Sequence, residues 1–77
     1  MPSQNMQARQ ELLNSLSNER LDMTTRAAEA KKLLATFVYK GYDDPFVKGK
    51  LLETISKCDF RVKEIDQQIK RLKEVNL

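Results

Sequence analysis

Leu51, Ile55, Cys58, Val62, Ile65, Ile69 and Leu72 follow one another at steps of four and three residues, and that spacing constrains the chain more than any other feature. A strand would alternate every second residue, whereas steps of four and three draw a single stripe down an α-helix. In heptad terms Leu51, Cys58, Ile65 and Leu72 take position d and Ile55, Val62 and Ile69 take position a, the seam of a coiled-coil-like pairing. Acid-to-base pairs four apart lie between the stripe residues: Glu53 with Lys57, Asp59 with Lys63 and Asp66 with Lys70. Each has the favourable acid-first order.

The N-terminal half repeats the pattern through Leu13, Leu16, Met23, Ala27, Ala30, Leu34 and Phe37, with Arg20 standing where an apolar residue is due. An arginine there either lays its stem along the seam and sends its charge to water, or acts as a polar register device. Asn14, Ser15, Ser17 and Asn18 are mediocre helix formers gathered in one place, so a kink or break near Ser17, giving three helices, is the alternative to one continuous helix. Asp22 with Arg26 and the run RAAEAKKLLA restore strong helix signals at once, and no Gly or Pro falls between Ser3 and Lys40. One long helix is the simpler reading.

Between the halves lies VYKGYDDPFVKG, residues 38–49. Lys40 and Gly41 form a helix-ending pair, because glycine accepts the left-handed conformation of a C-terminal cap. Asp44 and Pro45 form a helix-starting pair: the carboxylate accepts free amides, and proline loses nothing at the first helical position. So short a connection makes the helices antiparallel neighbours. The expected fold is therefore all-α, an antiparallel two-helix hairpin over 1–77, with helix 1 at about 3–40, a turn at 41–44 and helix 2 at about 45–76. Each helix is on the order of 50 Å long.

A hairpin of 77 residues has a marginal core, and small domains ordinarily add a disulfide, a metal or a partner. One cysteine excludes a disulfide within the chain, and the absence of histidine argues against a metal. Association remains. Leu12 and Leu33 at position g, Leu52 at e, and Leu21 and Phe60 on outward positions are left over by the helix pairing. Tyr39, Tyr42 and Phe46 surround the bend with Phe37 just before it. Tyrosines at an exposed tip make good contacts, while the plainer role for this cluster is a lid over the end of the seam. These eight residues (Leu12, Leu21, Leu33, Tyr39, Tyr42, Phe46, Leu52 and Phe60) are the candidate partner-binding set.

Catalytic, cofactor and metal sites are not expected. Cys58 at a d position reads as a small core residue, and no histidine is present to activate it. Asp43 and Asp44 read as capping groups. The formal net charge of +3 is mild, and the bases of the last helix alternate with Asp59, Glu64, Asp66 and Glu74, which argues against nucleic acid. No segment is apolar over the ~20 residues a membrane span needs. MPSQNMQARQ has no apolar run of the secretory kind, and with a single thiol a cytoplasmic setting is expected.

The segment GYDDPFV resembles the helix connection of the Spo0E-like aspartyl-phosphate phosphatases of spore formers. That family carries a serine and, four residues on, an aspartate early in the second helix; those places hold Lys50 and Thr54 here, so the resemblance implies the bend without the chemistry. The overall plan also resembles the small YscE-type co-chaperones of type III secretion, in which a basic helix end, a glycine turn and two amphipathic helices dock on a larger chaperone. The expected role is a non-enzymatic interaction module, an adaptor, co-chaperone or regulator that packs apolar helix faces on a larger protein. The alternative is a homodimer forming a four-helix bundle.

Overall fold

The computed structural model describes residues 4–74. Two helices, α1 (Gln4–Tyr39) and α2 (Pro45–Glu74), pack along their length as an antiparallel hairpin. α1 is unbroken through Ser15–Asn18, so the three-helix alternative does not hold. Ser15, Ser17 and Asn18 all face solvent, where they weaken helix propensity without disturbing packing, while Leu16 among them is buried and ties that turn to α2.

The bend is built as its residues dictate. Gly41 has φ 77°, the left-handed conformation, and its amide donates to the Val38 carbonyl at 3.1 Å. The next amide, of Tyr42, reaches back to the Phe37 carbonyl at 3.0 Å. This pair of bonds is the Schellman motif, and its usual apolar contact is made by the Phe37 and Tyr42 rings, edge to face at 5.8 Å. α2 then starts on Asp44, whose Oδ1 accepts the amides of Phe46 (3.0 Å) and Val47 (3.4 Å). Where helix starts often carry an apolar staple, an ion pair stands instead: Lys48 Nζ donates to Asp43 at 2.9 Å.

The core is thin. Among the described residues Leu16, Ala27, Ala30, Cys58 and Ile65 are buried, and of these only Ile65 is sealed completely. The remaining apolar stripe residues, Leu13, Met23, Leu34, Phe37, Leu51, Ile55, Val62, Ile69 and Leu72, are half-buried. Two helices cannot surround a seam, so its margins stay open. The extents are 60 × 16 × 14 Å and the radius of gyration is 17.5 Å, against about 11.5 Å for a compact domain of this length.

Two cross-helix ion pairs fix the register. Arg61 on α2 grips Glu19 on α1 through both nitrogens, the Nη2 bond measuring 3.0 Å. Arg20 Nε donates to Asp66 at 2.7 Å. The Arg61 hydrogen bonds hold the Glu19 carboxyl below its ordinary range, and the bond to Asp66 raises Arg20. Glu19 and Arg61 both occupy position g, so they close one side of the seam. Arg20 and Asp66, at a and e, close the other.

Candidate protein-binding surface

The heptad positions divide the hairpin into two flanks that differ in chemistry. On the g side, flanked by c, charge dominates: between residues 17–38 of α1 and 49–63 of α2, seven of ten g and c positions are charged. Over the same span only three of twelve e and b positions are charged: Lys31, Asp59 and Lys63. The rest of that e flank consists of small or apolar residues, among them Leu21, Ala28, Ala35, Gly49, Leu52 and Ser56.

All eight residues expected to meet a partner are exposed. They do not form one patch. Leu12 and Leu33 lie on the charged g flank, where Leu12 borders an open hollow of about 340 Å³ with Leu16, Gln68, Arg71 and Leu72. Leu21 and Leu52 belong to the e flank, and Phe60 lies at the neighbouring f position on its rim. Their exposures of 66%, 55% and 65% leave each of these side chains largely open to solvent.

At the bend the aromatic cluster separates into two roles. Phe37 and Tyr42 pack on each other and, with Asp44, Val47 and Lys48, line an open hollow of about 390 Å³. They are the lid. Tyr39 and Phe46 are not part of it: Tyr39 is 92% exposed and Phe46 71%, with Lys50 Nζ lying 5.6 Å over the Phe46 ring. Gly41 turns the backbone directly after Lys40, leaving Tyr39 on the outer side of the last turn of α1.

Some exposed groups escaped the heptad reading. Val38, 60% exposed at an e position, extends the e flank toward the bend. Among the helix ion pairs, Glu53 with Lys57 (2.7 Å) and Asp22 with Arg26 (3.3 Å) form as expected. Asp66 instead crosses to Arg20, and among the described residues neither Asp59 nor Lys63 has an ion-pair partner. Lys31 has none either. The Lys57 ammonium holds the Glu53 carboxyl below its ordinary range, as Lys48 does for Asp43.

Among the described residues no three of His, Cys, Asp and Glu gather as a metal ligand set, and no helix is long and apolar enough to cross a membrane. The Cys58 thiol is buried in the seam. Compared with protein-family models, curated proteins and solved structures, the chain matches none.

Proposed function

We propose that this chain is a non-enzymatic protein–protein interaction module, a small helical adaptor, co-chaperone or regulator that packs apolar helix faces against a larger protein. The observation that carries the reading is unspent surface. The chain exposes 6242 Å², whereas a compact monomer of 8.9 kDa exposes about 4,800 Å². The difference, about 1,400 Å², exceeds the ~800 Å² that one partner contributes to a standard interface. Among the described residues ten large hydrophobic side chains are exposed, with Tyr39 and Phe46 at the tip as aromatic anchors. The working principle is helix-in-groove or helix-on-helix packing, in which a and d residues hold the hairpin and flanking residues engage the partner. A lone buried thiol suits a reducing compartment, and we assign the module to the cytoplasm.

The direct experiment uses the purified chain as bait in lysate of its source cells, beside the Tyr39→Ala/Phe46→Ala variant. A protein retained by the parent and lost by the variant, with helix content unchanged, supports the reading. Equal retention by both removes the tip from the interface.

A second reading is favoured by the uneven flanks. A self-assembling homodimer would complete a four-helix bundle and bury the flank that carries little charge.

A further inference from the structure

We infer that the e flank is a self-association surface whose occupant is a second copy of this chain, packed about a two-fold axis parallel to the hairpin. This rests on the reading above that the exposed apolar side chains serve helix packing, and it names the partner for one of the two flanks.

Charge complementarity selects the occupant. Lys31 on α1 and Asp59 on α2 both sit at e positions, both face solvent, and neither has an ion-pair partner among the described residues. Their signs are opposite and they lie on different helices. In the register set by Glu19–Arg61 and Arg20–Asp66 they are about seven residues apart in level, roughly 10 Å along the axis, a gap that the long Lys31 side chain shortens. A two-fold axis along the hairpin lays α1 of each copy over α2 of the other. Lys31 of one copy then approaches Asp59 of its mate, and the reciprocal pair forms by symmetry, as an isologous interface requires.

The apolar residues obey the same operation. Leu21 on α1 and Phe60 on α2 lie at nearly one level in this register, so each meets the other across the axis. Ala28, Ala35, Gly49 and Ser56 have little or no side chain to hold the helices apart. All neighbouring helices in the resulting four-helix bundle are antiparallel, the up-down-up-down arrangement. On the g flank the same operation would crowd together Asp22, Arg26, Arg61 and Lys57, groups already engaged in ion pairs within the chain, along with the exposed carboxylate of Glu29. The uncharged flank is the one that closes.

The test is sedimentation equilibrium of the full chain and of four variants: Lys31→Glu, Asp59→Lys, the double variant, and Leu33→Glu on the g flank. The parent is expected at twice its 8.9 kDa chain mass. Each single reversal sets like charges against each other at two symmetric places and is expected to weaken the dimer by about tenfold or more. The double variant swaps the signs and is expected to return to within about threefold of the parent. Leu33→Glu is expected to leave the dimer intact. A dimer lost with Leu33→Glu and indifferent to both reversals overturns the assignment of the e flank. A parent that sediments as one chain throughout overturns self-association, and the bait experiment then decides separately whether the module serves another protein.

Discussion

Ile65 is the side chain on which the seam depends most, since no other described residue is sealed so completely. Replacing it with alanine removes buried methylenes that a two-helix core cannot easily refill, and a loss of about 2–5 kcal/mol is expected. Ile65→Asp strands a charge in the seam and is expected to abolish cooperative unfolding in urea followed by far-UV circular dichroism. The two glycines make a sharper contrast. A Cβ added at either would touch nothing within 4 Å, so sterics with neighbours do not distinguish them. Conformation does. Gly41 at φ 77° strains any other residue, and Gly41→Ala is expected to cost about 1–2 kcal/mol. Gly49 lies inside α2 with ordinary helical dihedrals, so Gly49→Ala is expected to stabilise by about 0.5–1 kcal/mol. Opposite shifts in the urea midpoint would bear out both assignments; shifts of the same sign would contradict one.

At the scale of the elements, both helices and their ends were written into local residue choices. The stripe of α2 fixes its inner face, Lys40–Gly41 stops α1, and Asp44–Pro45 starts α2 within the same short stretch. What a heptad reading cannot supply is the partner across the seam, because that depends on register. Asp66 illustrates the limit. Four residues before Lys70 it looks like half of a local pair, yet the register brings Arg20 within 2.7 Å and that bond wins. Arg20 therefore neither sends its charge freely to water nor enters the core; it stands at the margin and latches to α2. Glu19, one residue earlier at g, is half of a second clasp, and nothing in its local sequence marks it until Arg61 is placed opposite. The tip divides for a similar reason. The Schellman geometry turns Tyr42 onto Phe37, whereas Tyr39 precedes the turn and is directed outward.

The ion pairs also set a pH dependence. Glu19, Asp43 and Glu53 are each held below the ordinary carboxylate range by Arg61, Lys48 and Lys57 respectively. As pH falls the unfolded chain therefore takes up protons before the folded one does. The contribution of these pairs is present above the unfolded carboxylate values near pH 4 and is lost as pH drops through the lower folded values. The melting temperature is expected to be flat between about pH 5 and 7 and to fall below about pH 4, with a smaller fall in Glu19→Gln. An acid-insensitive melt would show that the clasp contributes nothing. All three carboxylates remain solvent-accessible, so salt is expected to reduce the effect.

For the whole molecule, shape and composition meet in one consequence. A hairpin 60 Å long and 16 Å across has almost no interior, and five buried residues among those described are a slender basis for cooperative folding. The proposed association would resolve this without a disulfide or a metal. Phe60→Ala is expected to leave the hairpin's helix content intact while weakening assembly; unchanged assembly would remove Phe60 from the interface. The most direct test is thermal melting over a hundredfold range of protein concentration, with the mass determined in the same samples. A melting temperature that climbs with concentration, at the mass of two chains, is the expected result. A single 8.9 kDa chain melting cooperatively at one high temperature, whatever its concentration, would contradict the account.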